Sequence, residues 1–191
     1  MHKVYETERL ILKTLDKSYT DLVIDYYLRN KDFLAEWETV KQKEFYEKHY
    51  QEKQLENELS DIESKRSLRL WIFKKLSGSM TYDTTGEKII GSVAFNNIVW
   101  GAFLSCHLGY KLDKDEINKG YMTEAIKKGI DIIFNEYGLH RIEANIMPRN
   151  KRSLRVAEKL GFYNEGLAYS YLKINGKWED HIHMVLLNDN V

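Results

Sequence analysis

The chain predicts a mixed α/β fold, a central twisted mixed sheet of about seven strands flanked by about four helices. Three observations carry this expectation. Three strand-like runs follow one another in mid-chain, "LRLWIFKKL", "KIIGSVAFNNIV" and "FLSCHLGYKL". At Gly120 the apolar period then lengthens from two residues to between three and four, as a change from strand to helix requires. A strand, a second helix and a closing hairpin come next, so the chain crosses over between strands and the sheet should hold a parallel pair at its centre.

Taken in order, "RLILKTL" reads as a strand and the segment from about Tyr19 to Arg29 as an amphipathic helix. The stretch from about Lys41 to Lys65 reads as a solvated helix, because charges of both signs intermix and only Phe45, Tyr46, Leu55 and Leu59 offer an inward face. "SGSMTYDTTGE", between the first two central strands, is marked as a turn-rich loop by its Gly, Ser, Asp and Thr content. Beyond Gly120, residues Met122, Ala125, Ile126, Gly129, Ile130, Ile133, Phe134 and Tyr137 recur as one buried helix face. The strand "RIEANIM" leads to a helix that begins near Asn150, carries Val156, Ala157 and Leu160 as its stripe, and ends at a left-handed Gly161. Asn175-Gly176, set between two strand-like runs, marks a hairpin, since both residues accept the positive φ that a two-residue turn demands.

Composition narrows the class. The 191 residues suit one domain over 1–191, with no Pro/Gly/Ser linker at which to divide the chain. Hydrophobic residues at 43% and aromatic residues at 13% exclude a largely disordered chain. Lys plus Arg equals Asp plus Glu at 29 each, so no net field draws the protein to nucleic acid or to an anionic membrane. No apolar run approaches the ~20 residues that span a bilayer. Cys106 is the one cysteine, so no internal disulfide is expected, and the charged start "MHKVYETERLILK" lacks the apolar core of a signal peptide; both favour the cytoplasm.

The stretch "NKGYMTEAIKKG" is where chemistry first suggests itself. A helix N-terminus leaves amide N–H groups unpaired and carries partial positive charge, so it can hold an anion without a basic side chain. Gly120 would let the backbone turn and bring those amides against a phosphate, with Lys119 adding charge and Thr123 a hydroxyl. Spacing alone also allows Gly120 simply to begin a helix. Neither the G-x-x-x-x-G-K-S/T loop nor the G-x-G-x-x-G fingerprint is present, which removes the main support for nucleotide hydrolysis and dinucleotide redox chemistry. Asn150 stands in an N-cap position with Ser153 one turn later; capping explains it, and so does a ligand beside the crossover. "HIH" at 181–183, with His140 elsewhere, does not make a ligand set, so no metal is expected.

Six strings in order, "TERL", "LGYKL", "NKGYMTEA", "HRIEANIMPRNKRS", "EKLGF" and "GKWEDH", resemble the RimJ/RimL branch of the GNAT superfamily of acetyl-CoA-dependent N-acetyltransferases. The resemblance spans nearly the whole chain and is nearest to the ribosomal-protein-alanine type. It implies the GNAT fold and acetyl-CoA as cosubstrate. It places the pantetheine arm between "CHLGYKL", which contains Leu108, Gly109 and Tyr110, and "RIEANIM". It places the pyrophosphate on Asn118, Lys119, Gly120, Tyr121, Met122 and Thr123, the pantetheine region also on Asn150, and the thioester sulfur near Ser153. "KKG" and "PRNKR" would suit the 3′-phosphate. Ile117 and Met122 depart from the family pattern, which carries Gln or Arg and a small residue there.

The implied reaction is attack of an amine on the thioester carbonyl through a tetrahedral intermediate. It needs an oxyanion donor, a base and an acid. The Leu108 amide, at a bulge of its strand, is the expected oxyanion donor. Leu172 stands where some relatives carry a glutamate base, so the candidates are His107, Glu165, Glu179 or a chain of waters. Ser153 is favoured as the acid over Tyr121, Tyr169 or Tyr171. The acceptor implied is the N-terminal alanine of a ribosomal protein, whose α-amine with a pKa of ~7.7–8.0 demands little of a base. A polyamine or aminoglycoside acceptor, and a non-catalytic acetyl-CoA-binding regulator, are the alternatives. No direct nucleic-acid or membrane partner is expected, and the protein should act as a monomer or homodimer.

Overall fold

The computed structural model describes residues 2–75 and 88–191, so the turn-rich loop expected at 77–87 lies outside the described residues. The described elements are β1 (Val4–Glu6), β2 (Leu10–Lys13), α1 (Thr20–Ala35), α2 (Lys48–Glu63), β3 (Leu68–Lys74) and β4 (Ile89–Val99). They continue as β5 (Ser105–Leu112), α3 (Tyr121–Asn135), β6 (Arg141–Ile146), α4 (Lys151–Lys159), β7 (Tyr163–Ile174) and β8 (Lys177–Leu187). One sheet runs in the order β1-β2-β3-β4-β5-β6-β8-β7. Every neighbouring pair is antiparallel except β5 and β6, the parallel pair that the crossover through α3 creates.

Strands β3 and β4 read as nearly continuous apolar runs because helices cover the sheet on both faces. On one face, Val23, Tyr26 and Tyr27 of α1 and Leu55 of α2 pack with Trp71, Phe73 and Ile89. On the other, Ala125, Ile126, Ile132 and Ile133 of α3 and Leu154 and Ala157 of α4 pack with Leu70, Ile72, Val93 and Phe95. Gly129 lets α3 sit close on the sheet: a Cβ there would meet the Phe95 ring at 2.6 Å. Burying apolar surface on both faces contributes about 25 cal/mol per Å² removed from water, so the two helical layers stabilise the strand centre most.

Several elements differ from the sequence expectation. The sheet has eight strands among the described residues where about seven were expected, the addition being Val4–Glu6, which pairs with β2 as a short edge strand; three residues are too few for an alternation to be read. The first helix runs on past Arg29 to Ala35. The charged stretch is broken at Glu47, which is extended with ψ 147, so a 3-10 turn over Lys43–Tyr46 precedes α2. Leu55 is buried as expected, and Ile62 joins it. At the tail, Asn175 and Gly176 take φ 46 and 80, and Gly161 takes φ 87, as the turn and the helix end require.

Candidate active site

β5 and β6 pair at only three positions, Ser105↔Arg141, Cys106↔Ile142 and His107↔Glu143. Beyond His107 each strand keeps to its antiparallel neighbour: β5 stays with β4 as far as Leu112, and β6 follows β8 to Ile146. The two therefore diverge, and their facing edges lose the ladder partners that backbone groups need. A cavity of ≈ 680 Å³ opens between them, lined by residues from the helices on both faces of the sheet, among them Thr123, Ser153, Phe33 and Leu34. Leu108 is the first β5 residue past the last pair and lines that opening. The strand irregularity expected at Leu108 lies on β4, between Asn96 and Val99, where Asn97 takes φ 51, a conformation that asparagine tolerates.

One wall is the start of α3. Gly120 is its N-cap in the left-handed region, φ 82, and no side chain caps the helix, so the first-turn amides of Tyr121, Met122 and Thr123 have no intrahelical acceptor. Asn118 also has positive φ, 62, and the two left-handed residues curl the loop into a concave row of amides. The β1–β2 turn pins this loop. Glu124 accepts from Thr7 Oγ1 at 2.6 Å and from the Arg9 amide at 2.8 Å, and pairs with Arg9 Nη2 at 2.7 Å. Arg9 Nη1 donates to the Lys119 carbonyl at 2.9 Å, and its guanidinium stacks 4.7 Å from the centre of the Tyr121 ring. Although partial burial opposes it, the hydrogen bonds from Thr7 and Arg9 hold the Glu124 carboxyl below the usual range. The Lys119 ammonium turns to Glu116, 2.9 Å away.

The opposite wall is the start of α4. Asn150 Oδ1 accepts from the Ser153 amide at 3.1 Å, the capping bond that its position suggested. Tyr110, reaching across from β5, donates to the Ser153 carbonyl at 3.0 Å, and its hydroxyl oxygen is 2.6 Å from Ser153 Oγ. Burial pushes the Tyr110 hydroxyl up to about 12, against a smaller lowering by Ser153, so it keeps its proton across the physiological range.

On the other face of the sheet the cavity meets Lys111 and Glu38, an ion pair, together with Arg69, Asn145 and His181. Burial lowers the Lys111 ammonium, which Glu38 partly restores. Arg149 stacks 5.0 Å from the centre of the Trp37 ring and reaches Glu36 at 2.8 Å and Glu179 at 3.3 Å.

Of the residues singled out from sequence, Leu108, Gly109, Tyr110, Asn118, Gly120, Met122, Thr123, Asn150 and Ser153 line this one cavity. Lys119, Tyr121 and His107 are not among its lining residues. His107 lies in the paired part of β5, with Nδ1 3.2 Å from Asn97 Nδ2 and Nε2 3.8 Å from Glu143. Glu165 is clasped by the Arg141 guanidinium and held down to about 2 by that hydrogen bonding. Tyr169 is 77% exposed, away from any enclosed chemistry. The three histidines set aside as metal ligands have separate partners: His140 faces the Asn188 carbonyl, His181 the Glu179 carbonyl, and His183 the Glu143 carboxylate. Asn145 and His181 are site residues that sequence reasoning does not reach. Nothing in "RIEANIM" distinguishes Asn145, and His181 stands out only as half of a histidine pair.

The acetyltransferase (GNAT) domain family matches residues 9–163. The chain is 36% identical over 180 residues to the [ribosomal protein uS5]-alanine N-acetyltransferase of Escherichia coli (strain K12), covering 92% of this chain and 86% of that one. Its structure is similar to that of the ribosomal-protein-S5-alanine acetyltransferase from Vibrio fischeri, with TM-score 0.89, 32% identity and 98% of each chain covered. It also shares the fold of Mycobacterium smegmatis RimJ, solved in complex with CoA-disulfide, with TM-score 0.85, 23% identity, and 100% of this chain and 89% of that one covered. A match of this extent, on a sheet opened between β5 and β6, assigns the chain to the GNAT acetyltransferase family, and it is an acetyl-CoA-dependent N-acetyltransferase.

Proposed function

We propose that the protein acetylates the N-terminal α-amine of a ribosomal protein, with alanine as the acetylated residue. The observation that carries this reading is the mixed charge on the acceptor face of the cavity. Glu38 is the one carboxylate among the described lining residues and is paired with Lys111, beside Lys41 and Arg69, so no concentrated negative charge awaits a polycation. A polypeptide end, with one amine followed by neutral amide groups, suits such a surface. A polyamine or aminoglycoside would call for an acidic pocket. A non-catalytic regulator would call for a blocked cleft, yet the hairpin residues Asn175 and Gly176 are not part of the cavity lining. Similarity to the uS5-alanine enzyme over 92% of the chain supports the same acceptor class, and a ribosomal acceptor puts the reaction in the cytoplasm.

In this reading acetyl-CoA is the first substrate, and the uncapped α3 start fits it: the amides from Asn118 to Thr123 hold its pyrophosphate without a dedicated basic side chain. Lys119 contributes its backbone there, its ammonium being engaged by Glu116. Asn150 holds the pantetheine region. The Leu108 amide, on the strand edge that has lost its neighbour, stabilises the oxyanion. Ser153, backed by Tyr110, supplies the proton to the departing sulfur.

Mass spectrometry of acetyl transfer to Ala-, Ser- and Met-initiated ribosomal-protein N-termini, polyamines and aminoglycosides tests the proposal. Transfer chiefly to an Ala N-terminus is expected. Preferential transfer to a small amine would replace the acceptor, and acetyl-CoA binding without transfer to any amine would favour the regulator.

A further inference from the structure

His181 is 3% exposed and lines the cavity on the face opposite Ser153 and the α3 start. Its Nδ1 lies 3.0 Å from the Glu179 carbonyl oxygen. A carbonyl can only accept, so Nδ1 carries the proton and Nε2 is left as the lone-pair nitrogen of the ring. Asn145 lines the same cavity from β6, and its Nδ2 donates to the Tyr171 hydroxyl at 3.4 Å. Its Oδ1 is fully buried and has no hydrogen-bond partner among the described residues, although a buried amide oxygen ordinarily has one. Asn145 pairs with His183, and His181, two residues earlier in β8, lies on the same face. The cavity is thus bordered by an imidazole whose lone-pair nitrogen has no hydrogen-bond partner among the described residues.

We infer that His181 Nε2 receives the acceptor's α-ammonium and is the base that deprotonates it. This rests on the acetyl-transfer reading above and supplies the group that Leu172 leaves missing from β7. The ammonium gives one proton to His181 Nε2. The freed nitrogen lone pair forms the C–N bond to the thioester carbonyl carbon, and the carbonyl oxygen takes up the π electrons. When the oxyanion collapses, the C–S bond breaks and sulfur departs with its electron pair. The remaining surplus proton on nitrogen is lost to solvent, sulfur takes one through Ser153, and His181 releases its own to solvent, so the site returns to its starting state.

The charged and titratable groups around His181 are Glu143 on β6, Tyr171 on β7, Glu179 and His183 on β8, and Arg149, which pairs with Glu179 and Glu36. None of them has a hydrogen bond to Nε2 among the described residues.

The test compares wild type, His181→Asn and His181→Ala, using an Ala-initiated peptide, with kcat/KM followed across pH and acetyl-CoA binding measured by calorimetry. Asparagine keeps a donor near Nδ1 for the Glu179 carbonyl and removes Nε2. The expected result is a loss of about 100-fold or more in kcat/KM at neutral pH for both His181 variants. Acetyl-CoA affinity should be unchanged, and activity should recover as rising pH deprotonates the amine unaided. Restoration of wild-type rate and pH profile by His181→Asn would reduce His181 to a structural residue and overturn the inference. A wild-type protein that acetylates no amine would overturn the functional reading itself, and the two failures are told apart by the wild-type assay alone. Thermal melts matched to wild type confirm that each variant is folded.

Discussion

The hydroxyl oxygens of Tyr110 and Ser153 lie 2.6 Å apart, and the tyrosine also donates to the Ser153 carbonyl at 3.0 Å. With the tyrosine hydrogen directed at the carbonyl, the serine hydroxyl can donate to the tyrosine oxygen or turn its hydrogen to sulfur. Tyr110→Phe and Ser153→Ala should each lower kcat by about 100-fold, with acetyl-CoA affinity changed little. Because the two act as one unit, the double variant should be scarcely slower than either single one. Steady-state kinetics on the three variants checks this; full turnover in Ser153→Ala would assign the sulfur proton to solvent.

Gly120 makes the turn into α3 with φ 82, and a Cβ there would come within 3.3 Å of Arg9 Nη2. Gly120→Ala should cost about 1 kcal/mol of stability through the left-handed backbone alone. Gly120→Asp should do more, setting a carboxylate among the amides proposed for the pyrophosphate, and should weaken acetyl-CoA binding by tenfold or more on the scale of ~1.4 kcal/mol per decade. Titration calorimetry on both variants separates backbone strain from charge. Unchanged affinity in Gly120→Asp would remove this loop from the binding site.

Asp113, at the end of β5, has a fully buried side chain with Arg29 Nε at 2.8 Å and Lys88 Nζ at 3.3 Å. Burial raises its pKa, but the Asp115 amide, Arg29 and Lys88 outweigh it and bring the carboxyl from 3.8 to about 2. A depressed carboxyl stabilises the fold above its unfolded value and loses that contribution as pH falls through its folded value. The contribution is about 2 kcal/mol, full above about pH 4 and fading toward pH 2. Urea denaturation of wild type and Asp113→Asn should therefore differ by about this amount at pH 6, and by progressively less as the solution is acidified. A gap independent of pH would mean that the ion pairs are not its source.

Gly129 faces Phe95, and a methyl added there would come within 2.6 Å of the ring, which is fully buried and has nowhere to move. Gly129→Ala should destabilise the protein by about 1–3 kcal/mol despite alanine's better helix propensity. A thermal melt that rises instead of falling would show that α3 can lift from β4 at no cost.

Cys106 is buried next to the last paired position of β5, and burial pushes its thiol up to about 12. It should resist a thiol-disulfide reagent in the native state and react only on unfolding. Reagent uptake measured with and without denaturant checks this.

Local periodicity and turn chemistry carry information over a few residues, and the elements they specify are legible. The stripe from Met122 to Tyr137, the Asn175-Gly176 turn, the Gly161 helix end and the Asn150 cap can each be recognised in isolation, because each satisfies its own backbone. The parallel β5–β6 pair is legible from the order of elements, since a helical crossover requires it. The edge strand β1 is too short to show a period. The break at Glu47 is hidden because intermixed charges look alike in a helix and in a turn.

What sequence alone determined about this protein is therefore the order of its elements, the glycine that opens α3 and the resemblance that six motifs carry. The tertiary structure decided which side chains meet. Tyr110 and Ser153 are 43 residues apart and touch because β5 and the start of α4 face one opening. His107 and His181 both stand on strands, and no local pattern tells which of them borders that opening. The outcome depends on where β5 and β6 part, which is settled by β6 pairing with β8 while β5 stays with β4. That is a contest of long-range strand pairings, and its energy comes from contacts that no short window of sequence contains.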